Sequence, residues 1–126
     1  MVLAVPTNER RELSRVNAES FQVELRPQGR LARVRAQPVD FNRHGIGVVT
    51  TAPLKERKNV YLKLRLGDLQ LDNLIGVVHN CSQHEGGFRC GIRFKIHAEL
   101  QTDRVLVETL LTSMEDLART LEASEA

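Results

Sequence analysis

Two short groups of residues in this chain have the types and spacing to hold an anionic, planar ligand. The first is Glu9-Arg10-Arg11-Glu12-Leu13-Ser14-Arg15, in which Arg11 and Arg15 stand four residues apart with Arg10 beside them. A guanidinium bonds a phosphate in two places, lays its flat face on a base and does not lose its charge. The same fork reads O6 and N7 of a guanine. Taken alone, this spacing is also that of a solvated basic turn, with Glu9 and Glu12 pairing locally. The second group is Asp40-Phe41-Asn42-Arg43-His44-Gly45. Asp40 accepts hydrogen bonds from the ring N–H and amino group of a guanine, and Asn42 offers a donor and an acceptor in the same turn. Gly45 lets the backbone turn and approach a ligand with no Cβ in the way. Alone, this group reads as a hairpin turn made of ordinary turn residues. Arg10 and Arg43 are auxiliary cations for the same ligand, whereas His44 reads as a half-exposed loop residue.

Strands and one helix must position these groups. Residues 1–17 are polar and show no periodicity, which predicts an arm poorly ordered by itself. Phe21, Val23 and Leu25 then alternate with polar residues, Pro27-Gln28-Gly29 turns the chain, and Leu31 to Val39 is a second β-prone run. Ile46, Val48 and Thr50 alternate next. Val60, Leu62, Leu64 and Leu66 alternate with Tyr61, Lys63 and Arg65, and Leu71 to His79 gives a further strand. Phe88, Cys90, Ile92 and Phe94 alternate with Arg89, Gly91, Arg93 and Lys95. Six short strands with close turn signals predict an all-β antiparallel barrel or sandwich over residues 18–97. The period then changes. Leu106, Leu110, Met114, Leu117 and Leu121 recur every three or four residues, flanked by Val107, Leu111 and Ala118. That pattern predicts an amphipathic helix within residues 98–126, capped by Thr102 or Asp103. Its apolar stripe is expected to cover the chain's own barrel, with pairing to a second copy as the alternative.

Composition narrows the class. A chain of 126 residues is ordinarily one domain. Residues 1–50 carry eight Arg against five acids, residues 51–97 eight Lys or Arg against four, and residues 98–126 two Arg against seven. A basic body with an acidic tail suits an anionic ligand on the body. With no Trp, one Tyr and four Phe, the chain is poorly supplied for a stacking platform, which argues against single-stranded nucleic acid. No apolar run approaches the roughly 20 residues of a membrane span, so membrane insertion is not expected. The N-terminus places apolar residues before charges and has no cleavage pattern, which predicts a cytoplasmic protein. Cys81 and Cys90 are nine apart and read as buried or idle thiols rather than a disulfide framework. The four His are scattered, and His79 to His84 matches no specific zinc spacing. No GxSxG elbow, P-loop or HExxH is present, so neither catalysis, a metal nor a cofactor is expected.

The combination is more specific than its parts. An RRxxxR arm, followed after some 25 residues by a (D/N)x(S)xxG-like turn at a strand junction, resembles the PilZ family, as does the Gly-Ile-Arg-Phe stretch at Gly91–Phe94. The resemblance covers about residues 9–120. It implies a six-stranded antiparallel β-barrel closed by a C-terminal helix, and a cyclic di-GMP receptor rather than an enzyme. In the family, the arm's arginines clamp phosphates and guanines while the turn contacts the ligand from the barrel surface. By position these roles fall to Arg11, Arg15, Asp40, Asn42 and Gly45. An adaptor of this kind is expected to relay the signal to a protein of a motility, secretion or polysaccharide system. The departure is Asn42, where the family usually has Ser. It opens the alternative of a PilZ-like interaction adaptor that no longer binds the nucleotide.

Overall fold

A computed structural model describes residues 14–96 and 103–125. The strands are β1 (Val16–Asn17), β2 (Gln22–Pro27), β3 (Val34–Arg35), β4 (Gln37–Asn42), β5 (Gly45–Thr50), β6 (Asn59–Leu66), β7 (Leu69–His84) and β8 (Gly87–Phe94). The helix, α1, runs Arg104–Glu125. Every pairing is antiparallel, in the order β1-β4-β5-β8-β7-β6-β2-β3.

This corrects the expected six-stranded closed barrel. Among the described residues the chain makes one curled, eight-stranded sheet whose end strands β1 and β3 do not pair with each other. Both are two residues long, too short to show a period in sequence. The run Leu31 to Val39, read as one strand, instead divides at buried Ala36, with β3 pairing to β2 and β4 to β5. Val16 and Asn17, the last residues of the expected arm, instead pair with Phe41 and Asp40.

The concave face holds the core. Val23, Leu25, Val60, Leu62, Leu64, Ile46, Val48, Cys90, Ile92 and Phe94 all point into it, each strand contributing every second residue. Phe41 stands at its centre with no exposure, its ring 4.5 Å from Phe21 and 6.0 Å from Phe94, an arrangement suited to offset aromatic packing.

Helix α1 lies against β1, β4 and β7 of its own chain. Its buried face is Val107, Leu111, Met114 and Ala118, spaced 4, 3 and 4 residues apart. Leu110, Leu117 and Leu121 pack partly buried against the same core, so of the expected stripe Leu106 is the residue that departs, at 51% exposed. Asp103 is the cap: its Oδ1 accepts the Leu106 N–H at 3.1 Å.

Candidate ligand cleft on the outer face of the sheet

Register brings the site together. Asn17 pairs with Asp40, Asp40 with Gly47, Gly47 with Gly91, and Gly91 with Asn80, forming one row across β1, β4, β5, β8 and β7. Residues directly opposite share a face, and the intervening Phe41, Ile46 and Ile92 fill the core, so this row faces outward. Its two central glycines leave a floor of bare backbone between the walls of Asp40 and Asn80. A Cβ at Gly47 would stand 2.6 Å from Asp40 Oδ1, so the absence of a side chain there is what lets the carboxylate lean over the floor. The Asn80 Oδ1 is itself fixed, accepting the Gly91 N–H at 3.1 Å.

Arginines surround this floor. Arg89 and Arg93 stand two residues either side of Gly91 on the outward face of β8, opposite Val49 and Gly45. Arg15 arrives from the residue preceding β1. Arg15 Nε is 2.6 Å from Asp40 Oδ1, and Arg89 Nη2 is 2.8 Å from Asp40 Oδ2, so one carboxylate is held by two guanidinium groups. Together with His44 and His79 these residues line a cleft of about 370 Å³, within the range of small-molecule sites. Among its lining residues three are arginines and Asp40 is the one carboxylate. The cleft is electropositive and its floor exposes backbone, which suits an anionic ligand with flat rings.

The turn between β4 and β5 is built from within. Asn42 is 2% exposed, and its Oδ1 accepts the N–H groups of His44 at 2.8 Å and Gly45 at 3.0 Å. Such an Asx turn satisfies two backbone donors with one side chain. Gly45 is needed because a Cβ there would collide with the carbonyl oxygen of Ile92 on β8. Both residues line the cleft, yet the contacts that fix their identity are contacts with the protein's own backbone.

The structure brings together Arg15, Asp40, Asn42, Gly45 and His44 around one cleft. Arg43 is placed elsewhere. Its side chain leaves the opposite side of the turn, and its Nε meets Glu115 Oε1 on α1 at 2.7 Å. Arg10 and Arg11 lie outside the described residues. Sequence reasoning did not select Arg89, Arg93, Asn80 or Gly47, although alternation on β8 already placed both arginines on the solvent face. His79 and Asn80 were hidden by a bulge. Strict alternation puts His79 and Cys81 on one face, but β7 inserts an extra residue between Val78 and Asn80. As a result Cys81 faces Cys90 while His79 and Asn80 both reach the cleft. Among the described residues, no group of three or more His, Cys, Asp or Glu is arranged to hold a metal ion, and no helix is long and apolar enough to cross a membrane.

Comparison with known proteins agrees with this architecture. The family profile described as the PilZ domain matches residues 9–112. The PilZ domain of YcgR from Escherichia coli, solved with c-di-GMP, superposes with a TM-score of 0.63 at 17% identity, covering 90% of this chain and 96% of that one. The structure of YcgR from Escherichia coli in complex with c-di-GMP gives 0.61 at 17% identity, over 90% of this chain and 49% of that one. MrkH of K. pneumonia in its apo state gives 0.57 at 17% identity, over 86% and 50%. This chain thus spans about half the length of the latter two. No curated protein matches the sequence.

Proposed function

The chain belongs to the PilZ domain family, and from that premise we propose that it is a cyclic di-GMP receptor whose ligand sits in the cleft of Arg15, Asp40, Arg89 and Arg93. The observation that carries this reading is the sharing of one carboxylate by two arginines at the edge of a glycine floor. A guanine offers its N–H and amino group to Asp40, while the phosphates take the guanidinium groups of Arg15 and Arg89. Binding then exchanges a partly exposed ion pair, which contributes only about 0–1 kcal/mol, for charge-assisted bonds to the ligand. Solved domains of this fold include one that carries c-di-GMP, which supports the same ligand class here.

The arm upstream of β1, which carries Arg10 and Arg11, closes over the bound nucleotide in this reading. The surface that a partner protein meets changes accordingly, and the ordering cost is met by the new phosphate and base contacts. The chain acts as a cytoplasmic adaptor that relays the signal to a motility, secretion or polysaccharide system, with no catalytic step of its own. Isothermal titration with cyclic di-GMP tests the proposal. Saturable heat that is lost in Arg15→Ala supports it, and the absence of heat with the wild-type chain sinks it. The inward commitment of the Asn42 side chain favours a second reading, a protein-interaction adaptor without the nucleotide. Binding that appears only in Asn42→Ser selects that reading.

A further inference from the structure

Cys81 and Cys90 are directly opposite each other on β7 and β8, and both are reduced. The Cys90 thiol donates to the Cys81 sulfur across 2.8 Å. The Cys81 backbone N–H is directed away from β8, to Glu56 Oε2 at 3.1 Å, so the two cysteines do not exchange a pair of backbone hydrogen bonds. They therefore occupy a non-hydrogen-bonded position of the antiparallel ladder, where Cα atoms stand about 4.5 Å apart. That separation falls within the range a disulfide spans. The bulge between Val78 and Asn80 creates the pairing, because without the extra residue Cys81 would face the other side of the sheet.

We propose that Cys81 and Cys90 form an oxidisable dithiol, a modification site that hydroperoxides convert to an intramolecular cross-strand disulfide. The two sulfurs have different roles. Cys90 is fully buried, and burial together with its hydrogen bond to Cys81 pushes its thiol up to about 11, so it keeps its proton. Cys81 is half-buried, and its sulfur receives the Leu54 N–H at 3.4 Å as well as the Cys90 thiol. Two donors thus converge on the sulfur that carries the charge during attack.

In the first step the Cys81 thiolate attacks the O–O bond of the hydroperoxide. One oxygen stays on sulfur as a sulfenic acid, and the other leaves as the alcohol after taking a proton from water. Cys90 sulfur then attacks the Cys81 sulfenic sulfur, forming the S–S bond, and the hydroxyl departs as water with the Cys90 proton. Two thiols and one hydroperoxide yield one disulfide, one alcohol and one water. The sulfurs lose the two electrons that the O–O bond gains. Cys90 precedes Gly91 of the cleft floor and its side chain points into the core, so the bridge pins β7 to β8 directly beneath Gly91 and Asn80.

The test uses the full chain treated with hydrogen peroxide and measured by intact mass, without any nucleotide, so that it stands independently of the ligand proposal. The expected product is monomeric and lighter by two hydrogens, with a linked peptide pair containing Cys81 and Cys90, and dithiothreitol restores the starting mass. Cys81→Ser changes only a half-buried residue and is expected to abolish that product. The proposal is overturned by disulfide-linked dimers as the main product, by oxygen addition without loss of hydrogens, or by thiols that stay unreacted until the chain is unfolded.

Discussion

Arg43 Nε lies 2.7 Å from the Oε1 of Glu115, a carboxylate only 1% exposed, and this ion pair fastens the β4–β5 turn to helix α1. Arg119 takes the other oxygen of Glu115 at 3.1 Å and donates to the Ser14 carbonyl at 3.2 Å. The helix therefore braces the turn from one side and the segment entering β1 from the other. Arg15, which follows Ser14, is held where it can meet Asp40. A buried charge that loses one partner is costly.

Arg43→Ala consequently tests the division of labour within the turn. It should cost about 1–3 kcal/mol, less than for a fully enclosed pair because Arg119 remains and Arg43 is half exposed. The midpoint of urea unfolding should fall accordingly. Cyclic di-GMP affinity should stay within about threefold of wild type, since the side chain does not line the cleft.

Arg89→Ala should behave in the opposite way. Losing one charge-assisted contact of about 1.5–3 kcal/mol predicts affinity lower by roughly 10–100-fold. Stability should change by less than about 1 kcal/mol, because the Arg89–Asp40 pair is partly in water. Titration calorimetry alongside thermal melting separates the two effects, and wild-type affinity in this variant would place the ligand elsewhere.

The two turn-proximal glycines predict different phenotypes. Gly45→Ala drives a methyl into the Ile92 carbonyl, which belongs to a neighbouring strand and has little room to move. A loss of about 1–3 kcal/mol in unfolding free energy is expected. Gly47→Ala meets instead the Asp40 carboxylate, a side chain that can swing away. It should leave stability nearly unchanged while weakening nucleotide binding, as read by the same pair of measurements.

Asn42→Ala removes the acceptor shared by the His44 and Gly45 N–H groups, at a cost of about 1–3 kcal/mol if both lose their partner. Asn42→Ser should recover part of that loss, because a hydroxyl makes the same kind of turn more weakly. Chemical denaturation of the three proteins orders them as wild type, Ser, then Ala.

Alkaline pH should destabilise the domain through Cys90. Its thiol is raised in the folded state, by burial first, from 9.0 to about 11. Between those values the unfolded chain has released the proton and the folded chain still holds it, so stability falls as pH rises. The contribution is complete below pH 9 and is lost as pH passes through about 11, on the order of 2–3 kcal/mol. Cys90→Ala should lack this component of the slope, measured by denaturation at pH 8, 9 and 10.

Alternation along β6 and β8, the change of period after residue 100, and the RRxxxR arm and Asp40–Gly45 turn were legible because each is a local pattern. A strand's inward residues recur every two positions and a helix's every three or four, whatever the rest of the chain does. Side-chain type likewise limits what Arg15 and Asp40 can bind. Short β1 and β3 leave no period, and the bulge in β7 breaks one, so strand count and the faces of His79 and Cys81 were decided by pairing. The same is true of the site's inner partners. Arg89 and Arg93 join Arg15 only through the β4-β5-β8 register, and Arg43 is drawn to the helix only because α1 packs Glu115 beside it. The sequence alone determined which chemistry was on offer. Tertiary structure decided which side chains share it, because contacts between residues 25, 49 and 72 positions apart depend on strand order and packing, not on spacing.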